Sequence, residues 1–260
     1  MAEKRGLQPH RVRSWMKLQI ENEADFAKQV KEVVELHQAA GVLAAEGVRV
    51  VSCDEKTGMQ ALEWLGQWPM KPGQPKRQEA WYKRHGTQCL TANLDLATGR
   101  VVAPTIESTR TNADFIGHID RTIATDPSAK WVFVVDNLDT HKSPELVEWI
   151  AARCGVKDEL GKKFAHGHLR DRRSRTAFLS DPAHRIRFVY TPKHCSWLNE
   201  IERWFSKLAR SVLRRGCFAG LDKLRTAVLE YISYYNTVEA RPHQWRIDAP
   251  ALLAKFRIAI

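Results

Sequence analysis

Apolar residues recur at helical spacing from Asp25 to about Ala40, where Phe26, Val30, Val33, Val34 and His37 share one stripe. This predicts an amphipathic helix, punctuated afterwards by Gly41 and Gly47. The pattern then changes period. VRVVSC, residues 48–53, is a β-branched run between Gly47 and DEKTG, and it predicts a short buried strand closed by Asp54. The Trp- and Pro-rich stretch from Trp64 to Lys76 has no period and reads as irregular. QCLTANLDL (88–96) and RVVAPTI (100–106) read as two strands of a hairpin turning at Thr98-Gly99.

Helical spacing returns with Phe115, Ile116, Ile119 and Ile123, and Asn112 or Thr111 is placed to cap that helix. KWVFVV (130–135) is uninterruptedly apolar, as expected of a central strand buried on both faces. Ser143 as N-cap and Pro144 at the first helical position open a helix that runs to Cys154. Residues 155–185 hold many charges and few apolar residues, and read as a long insertion. RIRFVY (185–190) is another strand. From Ser196 to Arg215, Trp197, Ile201, Trp204, Phe205, Leu208 and Val212 form the stripe of a strong helix. Leu221, Leu224, Val228, Tyr231 and Ile232 mark a last one. A hairpin-containing mixed sheet with helices on its faces follows, an α/β layer architecture.

At 260 residues and 43% hydrophobic, the chain can bury a sizeable core. A formal net charge of +11 favours a polyanionic partner, because Lys and Arg that neutralise phosphates release counterions. The five cysteines are odd in number and contain no CxxC pair, which excludes zinc ribbons and disulfide frameworks and fits a reducing cytoplasm. No apolar stretch is long enough for a membrane span, and MAEKRGLQPHRVRSW lacks the apolar run of a secretory signal.

Three acids sit where apolar runs end or a helix begins: Asp54, Asp136 and Glu202. If the fold gathers them, they make an all-oxygen site suited to Mg²⁺ or Mn²⁺. Two such ions about 4 Å apart can activate a nucleophile and stabilise a leaving oxygen in phosphodiester cleavage. Glu202 lies four residues after Leu198 and three before Phe205, on the border of the buried stripe. The loop after Asp136 carries His141 and Lys142, placed to touch substrate phosphate. Lys162, Lys163, Arg170, Arg172, Arg173, Arg175, Arg185 and Arg187 in and beside the insertion are expected to form a phosphate-contacting wall. Arg203, Lys207, Arg210, Arg214 and Arg215 on the Glu202 helix extend it. Trp197 could stack on a flipped or terminal base, and Lys193 and Asn199 complete the candidate DNA contacts.

VVSCDEKTG, VVDNLDTHKS and YTPKHCSWLNEIERWFSKL, in this order, resemble the three acid-bearing blocks of DDE transposases. The resemblance is to bacterial insertion-sequence transposases related to the Tc/mariner group. YKRHGTQCLTANLDLATGRV, PHRVRSWM near the start and YYN with HQW near the end extend it over most of the chain. It implies an RNase H-like fold, a pair of Mg²⁺ or Mn²⁺ ions, and cleavage and joining of DNA ends by a homodimer on DNA, in a bacterial cytoplasm beside the nucleoid. By matching motif, the catalytic and metal-binding acids would be Asp54 in CDEKTG, Asp136 in VVDN and Glu202 in LNEIERW. Glu200 is the rival third acid. The family pattern of Asn, two residues, then acid selects Glu202 after Asn199. Helical spacing agrees, since it turns Glu200 away from Trp197, Ile201 and Trp204.

The implied organisation is a basic arm and helix over 1–45, a catalytic domain over 46–236 with its insertion at about 155–185, and a tail over 237–260. The helix-turn-helix region usual in the family has no room before Asp25, so residues 1–45 read as the remnant of a linker that follows it. Two other readings stay open: a stand-alone RNase H-like nuclease, and a truncated remnant that binds DNA without cutting.

Overall fold

The computed structural model describes residues 20–242, 245 and 248–256. The basic arm with PHRVRSWM, and His243 and Gln244 of HQW, lie outside them. A five-stranded sheet is built from β1 (Val48–Trp64), β2 (Tyr82–Asp95), β3 (Val101–Glu107), β4 (Lys130–Val135) and β5 (Ile186–Tyr190), in the order β3-β2-β1-β4-β5. β2 runs antiparallel to β1 and β3, while β4 is parallel to β1 and β5 to β4. The helices are α1 (Glu23–Ala45), α2 (Asn112–Ile123), α3 (Pro144–Cys154), α4 (Arg172–Leu179), α5 (Glu200–Leu208), α6 (Leu221–Tyr234) and α7 (Ala249–Lys255).

Alternation along the strands sorts the core into layers. Val51, Cys53, Phe133, Val135 and Phe188 point to the face covered by α2, α3 and α4. Val50, Val132, Val134 and Val189 point to the other, under α1 and α7. Further along that second face, α5 and α6 cover Met59, Ala61, Leu90, Ala92 and Leu94. This is the mixed sheet with helices on both faces that the hydrophobic pattern predicts. Among the described residues, no helix is long and apolar enough to cross a membrane.

Several expectations are corrected. β1 does not end at Asp54 but runs 17 residues, with Asp54, Glu55 and Lys56 paired to Ala92, Thr91 and Leu90 of β2. The Gly of DEKTG makes a bulge rather than a turn: the register shifts between Lys56 and Met59, and Gly58 takes φ +69°. The extra residue moves the buried parity from even to odd, so Met59 and Ala61 join the face of Ser52 and Asp54. α1 continues through Gly41 to Ala45. The long insertion expected at 155–185 has structure of its own. Asp171 caps α4 with a capping box, and Leu169, Phe178 and Leu179 join the core of Phe133. The helix expected from Ser196 to Arg215 is broken: a 3₁₀ turn (Ser196–Leu198), extended Asn199, α5, then a π turn at Ala209–Leu213.

Candidate active site

In the parallel pair β1–β4, Ser52 is level with Val134. Two residues further along come Asp54, still within β1, and Asp136, one residue past the end of β4, near enough that the charge of Asp136 acts on Asp54. Asp54 is only 6% exposed. Its Oδ1 accepts the Glu55 N–H at 2.7 Å and its Oδ2 accepts from Asn199 Nδ2 at 3.3 Å. Asn199 also donates to the Cys53 carbonyl at 3.0 Å and accepts from Ser52 Oγ. Ser52 Oγ in turn accepts the Ile201 N–H at 2.9 Å. These bonds dock the start of α5 on β1 beside Asp54. Asn199 therefore serves as scaffold, fully buried, rather than as a DNA contact.

Asp136 lies just beyond β4. Its Oδ1 accepts the Leu138 N–H at 2.9 Å and lies 2.9 Å from His141 Nδ1. The other ring nitrogen of His141 is 3.1 Å from Glu55 Oε1. Neither His141 nor Glu55 is open to solvent, with side chains 0% and 3% exposed. His141 is thus corrected from a phosphate contact to a buried member of the acid cluster. Lys142 is buried too: its Nζ donates to Asn137 Oδ1 at 2.5 Å and lies 4.1 Å above the Tyr190 ring. Glu55 is the site residue the sequence reading missed. The signal was strand alternation carried one residue past Asp54.

The expected basic wall is partly internal. Arg172 donates to the Asn137 carbonyl, and Arg175 donates to those of Lys142 at 2.7 Å and Leu169 at 3.2 Å. α4 therefore braces the loop that carries Asp136. Arg185 donates to the carbonyls of Pro127 and Ala129, and Arg187 pairs with Glu32. Lys162, Lys163 and Arg173 are exposed. On the α5 side, Arg203 pairs with Glu200, Lys207 with Glu239 and Lys193 with Glu21, while Arg210, Arg214 and Arg215 are exposed. Trp197 precedes α5 and is 44% exposed.

The electrostatics separate the acids. Burial, then the charge of Asp136 and more weakly that of Glu202, pushes the Asp54 carboxyl up to about 7. Burial also opposes ionisation of Asp136, but the hydrogen bond and charge of His141 outweigh it and hold that carboxyl below its ordinary value. Burial pulls His141 down, yet its bonds to Asp136 and Glu55 win and raise it to about 9. Burial lowers Lys142 to about 8. Glu202 is exposed on the first turn of α5, and its charge acts on Asp54. Glu200 is buried and raised by that burial. The expectation that Glu200 turns away from the apolar stripe is corrected: the break at Asn199 leaves Trp197 off the stripe, and Glu200 shares the buried side of Trp204.

Among the described residues, no three His, Cys, Asp or Glu side chains are gathered closely enough to hold a metal ion as they stand. The donor chemistry nevertheless fits a hard divalent cation. Asp54, Asp136 and Glu202 offer only oxygens, and the charge on Asp54 is opposed by burial and by both other acids.

Comparison with known proteins adds an independent line. The family model described as DDE superfamily endonuclease matches residues 49–225. The fold is similar to the Mos1 mariner paired end complex with Mn, at TM-score 0.52 and 12% identity, over 98% of this chain and 67% of that one. It is equally similar to the Mos1 transposase paired-end complex with left transposon end (TM-score 0.52, 12% identity, 98% and 66%). A pre-cleavage Mos1 transpososome gives TM-score 0.52 at 13% identity, over 98% and 67%. The chain spans about two thirds of the length of these structures. At such identities the likeness speaks for the fold, which is the RNase H-like one. No curated protein matches the sequence.

Proposed function

The chain belongs to the DDE superfamily endonucleases, and from that premise we propose that it cuts DNA at the ends of a mobile element and joins them to a target. It would act as the catalytic part of a Tc/mariner-related, insertion-sequence transposase. In this reading Asp54, Asp136 and Glu202 hold two divalent ions, Mg²⁺ or Mn²⁺. The bound metal would supply activation of a water or a DNA 3′-hydroxyl, and stabilisation of the leaving oxygen. The chain's own residues do the rest. Asn199 and Ser52 fix Asp54 against α5. His141 holds Asp136. Exposed Arg210, Arg214 and Arg215 meet phosphates, as do Lys193 and Arg203, and Trp197 offers an aromatic face to a terminal base.

One observation carries the reading: three oxygen-donor acids come together from separate elements, with buried Asp54 on β1, Asp136 just past the end of β4, and Glu202 on the first turn of α5, near enough that the charges of Asp136 and Glu202 oppose ionisation of Asp54. A homodimer on DNA fits the need to hold two ends at once. The exposed Trp68, Met70 and Trp81 between β1 and β2 are a suitable contact for a second copy. The test is a strand-transfer assay with a labelled duplex carrying the terminal repeat that flanks the gene. Joined products are expected. Nicking without joining would favour a stand-alone nuclease, and DNA binding without either would favour a non-cutting remnant.

A further inference from the structure

Asp54 and Glu55 are adjacent on β1, so strand alternation sends their side chains to opposite faces of the sheet. Asp54 faces α5 through Asn199, while Glu55 reaches His141 from the other side. Glu55 Oε1 lies 3.1 Å from His141 Nε2, and Asp136 Oδ1 lies 2.9 Å from His141 Nδ1. Each ring nitrogen of His141 thus has its own carboxylate partner, and the two together fix the orientation of the imidazole. The ring stands 4.3 Å from Phe115, and the His141 carbonyl accepts the Tyr190 hydroxyl at 2.7 Å. Arg175 donates to the next carbonyl, that of Lys142. Ring, backbone and loop are therefore all held.

We propose that Glu55 and His141 are positioning residues for Asp136: Glu55 fixes the imidazole, and the imidazole, bound to Oδ1, orients the Asp136 carboxylate that would hold a divalent cation. The proposal rests on the reading of Asp136 as a metal-binding acid. Partners that orient a ligating carboxylate cost metal affinity when removed, although they never touch the metal.

Direct Mn²⁺ titration of the full chain, read by the paramagnetic resonance of free Mn²⁺, tests it. Glu55→Met keeps length and loses the oxygen, while Glu55→Gln keeps one acceptor for Nε2. Glu55→Met and His141→Gln are each expected to weaken Mn²⁺ binding roughly 10–100-fold, with Glu55→Gln between Glu55→Met and wild type. The double variant Glu55→Met/His141→Gln should bind no more weakly than His141→Gln alone, because Glu55 acts through His141. Metal-free melting temperatures show which variants fold; if His141→Gln does not, the Met and Gln variants of Glu55 decide the question. Mn²⁺ binding by Glu55→Met within about twofold of wild type would overturn the proposal, as would equal loss in the Met and Gln variants. Asp136→Asn separates the two levels. If it abolishes binding while Glu55→Met does not, the metal site stands and the positioning role falls. If wild type and Asp136→Asn bind alike, or neither binds, the reading of Asp136 fails and the proposal with it.

Discussion

Replacing Asp54 with Asn should stabilise the protein when metal is withheld, although it removes a residue assigned to the reaction. The Asp54 carboxyl is raised from 3.8 to about 7 in the folded chain. A group with a raised folded pKa gives its full stability below the unfolded value and loses it as pH rises through the folded one. Between about pH 4 and pH 7, Asp54 therefore drains stability from the metal-free protein. At about 1.36 kcal/mol per pH unit this amounts to an upper bound on the order of 4 kcal/mol. Asn removes the charge and can still accept the Glu55 N–H through its carbonyl oxygen. Its amide would then face the Asn199 amide where Oδ2 now accepts at 3.3 Å, a donor–donor clash costing about 1 kcal/mol. The net gain at pH 8 is about 2–3 kcal/mol, or roughly 4–12 °C in melting temperature for a chain of this size. At pH 4.5 the gain should shrink to near zero. Thermal melts in EDTA at both pH values, followed by circular dichroism, measure it. Added Mn²⁺ should reverse the order, stabilising wild type and leaving Asp54→Asn unmoved. A variant less stable than wild type in EDTA at pH 8, or an equal gain at both pH values, would show that the Asp54 charge does not destabilise the metal-free fold.

Two further outcomes follow from the same geometry. Asn199→Ala strips the buried Ser52 hydroxyl and Cys53 carbonyl of a partner and should cost about 1–3 kcal/mol in urea unfolding, with a larger loss of Mn²⁺ affinity than Asn137→Ala. Neutralising Arg210, Arg214 and Arg215 together should weaken DNA binding without sequence preference and flatten the log–log salt slope by up to about 0.9 per lost phosphate contact; an unchanged slope would remove these residues from the interface.

The sequence carries the fold where burial is regular. KWVFVV and RIRFVY are apolar without a break, and SPELVEWIAARC carries its own cap, so β4, β5 and α3 appear where the pattern puts them. Asp54 shows where that legibility stops. Beyond it β1 continues through mostly polar residues, because β2 supplies hydrogen-bond partners that local hydrophobicity does not register. The fate of His141 depends on Glu55, 86 residues away in the chain. A charged pair of this kind looks like solvated surface until the sheet brings its partner. Within the insertion at 155–185, Leu169, Phe178 and Leu179 are few, but they are enough to seat α4 on the core. Asn199, named among the candidate DNA contacts, has both its donor and its acceptor committed to β1.

In the proposed function, Asp54, Asp136 and Glu202 form one metal-dependent cutting centre. Cleavage of a labelled terminal-repeat duplex, with and without Mg²⁺ or Mn²⁺, by wild type and by Asp136→Ala tests it most directly, with Glu202→Gln and Glu200→Gln alongside. Metal-dependent cleavage is expected of wild type and Glu200→Gln, and none of Asp136→Ala or Glu202→Gln. Equal cleavage by wild type and Asp136→Ala would contradict it.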